Sequence, residues 1–200
     1  IVIGLGVRCL RHRLPEILEE TENRLQEDFR TLLAGLRDDL VYLDERIKTE
    51  DKAIETLANA HPSARRLQQL RGVGPVVATA LIAALGDGRQ FRHGRQASAW
   101  AGLVPGQHSS GGKQTLLGIS KRGDTYLRTL LIHGARAALR AARTKTDPLS
   151  LWLQGLCARR NPNVAAVALA NKTMRLAWVL LRREEDYDPL HGHARPPQPT

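Results

Sequence analysis

Apolar residues recur three and four positions apart through one long charged stretch of the chain. Leu33, Leu36, Leu40, Leu43, Ile47, Ile54 and Leu57 keep that spacing, with Glu50 filling one slot of the series. A repeat of this kind is a heptad seam. From Glu16 to His61 there is no Pro and only Gly35, so this stretch reads as mostly helical, with Pro15 as the break before it. Asp and Glu crowd the flanks, as expected of a helix that is wet on its outer face. A seam this narrow suits a partner helix better than a broad core does, so residues 26–60 are expected to form a coiled coil and to give a homodimer or higher oligomer. The competing reading is an amphipathic helix packing on its own domain.

His61, Pro62 and Ser63 end that pattern, and a second, helical domain is expected over residues 61–189. Leu67 to Pro75 (LQQLRGVGP) leads into an apolar helix, Val76 to Leu85, that stops at Gly86. Gly72 and Gly74 have access to backbone angles closed to other residues, and Pro75 suits a first helical position. With Val73 between the glycines, this is the pattern of a helix-hairpin-helix, whose free N–H groups meet a phosphate. A tight turn between helices, with glycines placed for packing, gives the same string.

Between Gly86 and Gly123 a short helix is expected around Arg95 to Leu103. The Gly, Ser and Pro density of Val104 to Lys113 predicts no regular structure there. Asp124 is a good N-cap for a helix from Thr125. On that helix Leu127, Leu130, Leu131, Gly134 and Ala138 share the apolar face, while His133, Arg136, Arg140 and Arg143 recur on another. After Pro148 come a Trp152-containing helix, a turn at Arg159 to Pro162, and an apolar helix from Val164 to Leu181. That last stretch contains Asn171, Lys172, Thr173 and Arg175, a group that a lipid-spanning helix rarely tolerates, so it reads as a core helix and no membrane role is expected. Residues 190–200, with His191 and His193 in a Pro-rich run, read as a disordered tail rather than a metal site.

Charge divides along the same boundary. The net charge is +10, but residues 1–60 carry 9 Lys and Arg against 13 Asp and Glu, or −4, whereas residues 61–200 carry 21 against 7, or +14. A basic second part favours a polyanion, because each cation that neutralises a phosphate releases condensed counterions. DNA is therefore the expected partner, with Gly72, Val73, Gly74, Lys113, Lys121, Arg122, Arg128, Arg136, Arg140 and Arg143 as its expected contacts. Cys9 and Cys157 lack CxxC spacing, so neither a zinc site nor a disulfide framework is indicated, and a reducing cytoplasm fits. Ile1 to Val7 has no cationic start and no cleavage site, so residues 1–25 are expected to be the remnant of, or link to, an upstream domain.

Three motifs in order resemble one family: Leu70 to Pro75 (LRGVGP), Gly102 to Lys113 (GLVPGQHSSGGK), and Gly118 to Asp124 (GISKRGD) running into Tyr126 to Arg128. Together they are similar to the transposase domain of the 110/1111 insertion-sequence family, and Asn163 to Lys172 fits that branch as well. The resemblance covers about residues 65–187 and implies a bacterial, nucleoid-associated, RNA-guided DNA recombinase. It implies an all-α fragment in which a coiled coil joins a RuvC-like domain to the helical domain. Four acidic residues of that RuvC-like domain would hold a divalent metal such as Mg2+; no cofactor is expected on the fragment itself. The family's serine nucleophile maps onto Ser110, which directly precedes Gly111, with Ser109 as runner-up. A hydroxyl activated by a neighbouring base or metal attacks a phosphodiester and conserves its energy for rejoining. His108 stands beside the pair as a base or as part of the loop, and Lys113, Lys121 and Arg122 are placed to meet developing charge. The alternative is a non-catalytic module that binds DNA and dimerises, in which both serines are structural.

Overall fold

In the computed structural model, residues 4–110 and 113–189 are described, and the chain divides into two compact units between Ala53 and Ile54. The tail expected over residues 190–200, with His191 and His193, lies outside the described residues, as does Gly111.

The first unit is a helical pair. Helix α1 spans Val7–Glu19 and α2 spans Glu27–Ala60. Pro15 sits inside α1 rather than ending it. The lost N–H bond is offset by packing on either side, where Leu14 and Ile17 are buried. What ends α1 is Arg30 of α2, whose guanidinium donates to the carbonyls of Ile17, Leu18 and Glu20 and to Asn23 Oδ1. The carbonyls of Ile17 and Leu18 belong to the last turn of α1 and that of Glu20 to its C-cap, so one arginine caps the helix and fixes the turn. Arg11 bonds Asp44 at 2.7 Å and ties α1 further along α2. The helix expected to run from Glu16 is thus broken over residues 20–26, while the expected start of the long helix at residue 26 is within one residue of that observed. Its seam lies bare: Leu36, Leu43, Ile47 and Leu57 are more than half exposed, and Leu33, Leu40 and Ile54 are half-buried.

The second unit is mostly helical. Helix α3 (Pro62–Gln68), α4 (Pro75–Leu85) and α5 (Gly94–Trp100) precede a hairpin of β1 (Pro105–Ser110) and β2 (Lys113–Ile119). Then come α6 (Thr125–Ala142), α7 (Pro148–Arg159) and α8 (Pro162–Arg183). Helix α8 is the central element and packs on α3, α5, α6 and α7. Small side chains allow this. Ala135, Ala138 and Ala142 of α6 and Ala165, Ala166, Ala170 and Ala177 of α8 are all buried, alongside Leu127, Leu131, Leu169 and Met174. By length and composition alone α8 would suffice to cross a membrane, yet half of that stretch is buried inside the protein. The expected core helix is the observed one, extended by two residues at each end.

Of residues 104–113, expected to be irregular, Pro105–Ser110 and Lys113 are strand. The hairpin is antiparallel, with Ser110 opposite Lys113, Ser109 opposite Gln114 and His108 opposite Thr115, and an irregularity between Pro105 and Gln107. Strand pairing satisfies backbone donors and acceptors whatever the side chains are, so low hydrophobicity does not prevent it. Among the described residues the chain is mostly helical, as expected, with this ribbon as the exception.

Candidate nucleic-acid interface

The turn between α3 and α4 is shaped by two glycines with different tasks. Gly72 has φ +86°, and a Cβ placed there would lie 2.5 Å from the carbonyl oxygen of Gly134 on α6. The converse holds at Gly134, where a Cβ would lie 2.0 Å from the carbonyl oxygen of Gly72. The two backbones touch, so Gly72 is required for packing. Val73 is buried beside it. Gly74 is the exposed N-cap of α4, with φ −95° and no heavy atom within 4 Å of its would-be Cβ. Pro75 follows at the first helical position, and no side chain caps the helix. The first amides of this helix are left without a capping side chain, at an end where the helix dipole favours an anion.

Arg71 of the same turn is held within the protein. Its guanidinium donates to Ser150 Oγ at 2.6 Å and to Asp147 Oδ2 at 3.1 Å, and the Ser150 hydroxyl donates to Asp147 Oδ2 at 2.7 Å. Asp147 is also the N-cap of α7, accepting the Ser150 N–H. The Ser150 hydroxyl, helped by Arg71, lowers the Asp147 carboxyl to a pKa of about 2 against the opposing effect of burial. The sequence reading did not anticipate this network.

Arg128 is turned inward. It is 8% exposed and donates to the Ala101 carbonyl at 3.2 Å and to Thr125 Oγ1 at 3.1 Å. Its place among the expected DNA contacts is corrected accordingly: one turn into α6, the side chain points at the α5 end rather than at solvent. The segment ahead of α6 is clamped in the same region. Gly123 has φ +105° and lies against the Trp100 carbonyl, Gly102 has φ +70° and lies against Arg122, and the Lys121 N–H donates to the Gly102 carbonyl. Lys121, itself at φ 55°, and Arg122 are exposed. The backbone is fixed while both cations face water.

Farther along α6 the expected stripe is present. Asp124 Oδ1 accepts the Leu127 N–H and starts the helix, after which His133, Arg136, Arg140 and Arg143 are all exposed. Arg136, Arg140 and Arg143 line a groove of about 620 Å³ with Leu139, Gln154 of α7 and Asn163 of α8. Among the described residues no carboxylate lines it. Between Thr125 and Arg183 the only acidic residue is Asp147, which is already bound to Arg71.

At the far end of the hairpin the backbones of Ser109 and Ser110 close β1, and Lys113 opens β2. In the register Ser110 and Lys113 face one another across the ribbon. The two strands pack mainly on each other. Among the described residues no group of three or more His, Cys, Asp or Glu side chains lies close enough to hold a metal ion.

A second groove escaped the sequence reading. It runs between α5, α7 and α8, has a volume of about 680 Å³, and is lined by Arg95, Trp152, Lys172 and Arg175 among others. The available signal was Lys172 and Arg175, three residues apart on α8, and it was read only as an argument against a membrane span.

Known proteins resemble the chain over the same region. The family model described as the IS116/IS110/IS902 transposase family matches residues 64–148, from α3 to the start of α7. A probable family 20 transposase of Pseudomonas aeruginosa is 55% identical over 158 residues, which is 79% of this chain and 47% of that protein. The transposase for insertion sequence element IS1111A of Coxiella burnetii is 45% identical over 187 residues, 94% of this chain and 51% of the relative. The transposase for insertion sequence element IS1328 of Yersinia enterocolitica is 39% identical over 175 residues, 88% and 52% of the two. The chain thus spans about half the length of the curated relatives it matches. With all three motifs inside the aligned stretches of a family model and of named transposases, the chain belongs to the IS116/IS110/IS902 transposase family.

Proposed function

We propose that the chain is the DNA-binding part of a transposase, and that it supplies the serine nucleophile for strand cleavage and rejoining. The observation that carries the DNA-binding reading is the basic face of α6, where Arg136, Arg140 and Arg143 line one groove free of carboxylates. Three exposed cations at helical spacing match successive phosphates better than they serve stability, since like charges at such spacing repel. Lys121, Arg122 and the open N-terminus of α4 at Gly74 add donors for the backbone of a duplex. Contacts of this kind position DNA without reading its sequence.

Ser110 is the proposed nucleophile, on the strength of the family resemblance. Its hydroxyl oxygen would bond to the phosphorus of a phosphodiester as the bond from phosphorus to the leaving sugar oxygen breaks. The serine proton passes to solvent or a base, and the leaving oxygen takes up a proton. The ester keeps the energy of the broken bond for rejoining. The pairing of Ser110 with Lys113 supports this reading, because it sets a cation's backbone beside the serine at one end of a ribbon. A divalent metal, if the reaction uses one, would be held by the part of the relatives' length that the chain does not span, and no step here runs through it. A guide RNA and a second copy of the chain, paired along the bare seam of α2, are the proposed partners.

The binding reading is tested by duplex affinity across salt. Replacing both Arg140 and Arg143 with Ala should lower the slope of log K against log salt by about 1.8, since each phosphate contact contributes about 0.9. An unchanged slope would remove α6 from the interface. The catalytic reading is tested in a protein of the relatives' full length: a trapped covalent complex should carry its nucleotide on Ser110 and disappear in Ser110→Ala. A nucleotide on Ser109 would reassign the role, and unimpaired joining in Ser110→Ala would leave the non-catalytic module.

A further inference from the structure

We propose that the groove between α5, α7 and α8 binds an unpaired stretch of polynucleotide, one base stacking on Trp152 while Arg95, Lys172 and Arg175 hold the adjoining phosphates. This goes beyond the duplex reading, on which it rests only in taking the chain to be a nucleic-acid protein.

Three observations converge. The cations come from two separate helices and line one cleft, and among the described residues no carboxylate lines it to neutralise them. A side chain suited to base stacking lies among them, because Trp152 is 37% exposed and faces the same cleft. Lys172 Nζ stands 5.2 Å from the centroid of the Trp152 ring. An ammonium over an indole is attracted by the negative face of the ring, so the face that Lys172 covers is the one a base would take. A base and its phosphate replace that contact in kind: the base takes the ring face, and the long lysine stem swings its charge to the phosphate. Proteins that hold single strands use this combination of a basic channel and an aromatic platform.

The chemistry favours an unpaired strand over a duplex. Bases inside a duplex are already stacked on one another and offer no face to an indole. A cleft of about 680 Å³ is in the range of ligand-sized sites and admits a nucleotide or two rather than a double helix. The two basic grooves also lie on different sides of α7. At about 100° per residue, Trp152 sits about 140–160° around the helix from Gln154 and Cys157, which line the α6 groove. One face is therefore free for a single strand while the other holds duplex.

The test measures fluorescence anisotropy of the 200-residue chain with labelled 12-nucleotide dT, U and abasic strands and with a duplex. Trp152→Leu should weaken both base-bearing strands at least about fivefold, in line with the loss of one stacked base. It should leave the abasic strand and the duplex within twofold of the parent. Trp152→Phe, which keeps an aromatic face, should retain most of the affinity and guards against a folding defect. Joint replacement of Lys172 and Arg175 with Gln should weaken every single strand, the abasic one included. A preference for U marks RNA as the strand, and a preference for dT marks DNA. The proposal is overturned if Trp152→Leu changes nothing, if it weakens the abasic strand or the duplex as much, or if Trp152→Phe fails as badly as Trp152→Leu. A parent that binds single strands but no duplex would sink the duplex reading and leave this one standing.

Discussion

Gly72 and Gly74 are two residues apart, and the structure assigns opposite consequences to adding one methyl group at each. In Gly72→Ala the new Cβ would lie 2.5 Å from the Gly134 carbonyl oxygen and 2.8 Å from its carbonyl carbon. Both are backbone atoms of α6, so no flexible side chain can move aside. The turn and α6 must separate, which disturbs Leu70, Val73, Leu131 and Ala135, all buried around the contact. Overpacking of a core costs about 1–3 kcal/mol. Holding alanine at φ +86° adds about 1–2 kcal/mol, because its Cβ crowds the backbone there. Gly72→Ala should therefore destabilise the chain by about 2–5 kcal/mol. Gly74→Ala meets no atom within 4 Å and has φ −95°, which any residue adopts. By restricting the unfolded chain it should be neutral or stabilise by about 0.5 kcal/mol. Urea unfolding followed by circular dichroism at 222 nm measures both. If Gly72→Ala stays within about 0.5 kcal/mol of the parent, the backbone contact does not exist as described. With Gly72→Ala destabilised as expected, loss of DNA binding in it would report on folding, whereas the same loss in Gly74→Ala would report on the interface.

Three further outcomes are expected. Asp147 has a folded pKa of about 2, below its ordinary 3.8, so its contribution is intact above pH 4 and is lost as the pH falls from 4 to 2. The carboxylate is 36% exposed, so after discounting for solvent screening the loss is about 1 kcal/mol, and Asp147→Asn should flatten the acid limb of stability against pH. Arg128→Met should cost about 1–3 kcal/mol by leaving the Ala101 carbonyl short of a donor, while the salt slope of duplex binding stays unchanged; a lower slope would put Arg128 back among the phosphate contacts. Sedimentation of the chain at micromolar concentration should show at least a dimer, and Ile47→Glu, which places a charge in the exposed seam, should give a monomer. A monomeric parent would refute pairing through α2.

How far the sequence carried depended on whether a feature is local. The helix caps at Asp124, Asn161 and Asp147 act over two or three residues, and those helices begin within two residues of the expected positions. The alternation of Leu127, Leu131 and Ala138 with Arg136, Arg140 and Arg143 is a property of one helix and was equally legible. The hairpin was missed because its side chains carry no strand pattern, although Gly-Gly between two short runs is a turn signal in its own right. Features joining distant parts of the chain were not legible. Arg128 has the spacing of a surface cation, and only the arrival of Ala101, 27 residues earlier, shows where it points. Arg30 closing α1, Arg71 meeting Asp147 and the groove around Trp152 are of the same kind.

The motifs that carry the family resemblance divide on structural grounds into two sets. Gly72, Gly102, Gly123, Asp124 and Arg128 each have a complete explanation in the fold: two close backbone approaches to α5 and its turn, one to α6, a helix cap and a buried guanidinium. All five surround α6 and fix it against the α3–α4 turn and the end of α5. A helix held this way keeps its row of arginines in one place, which matters when the charges must match a fixed phosphate spacing rather than simply stay in solution. Gly74, Lys121 and Arg122 are not explained by packing. Each is exposed and lies beside one of the clamped glycines, so rigid backbone meets free donors at two points near the start and the turn side of α6. Functional substitutions are therefore best placed at Gly74, Lys121 and Arg122, because a defect there is not readily ascribed to loss of the fold.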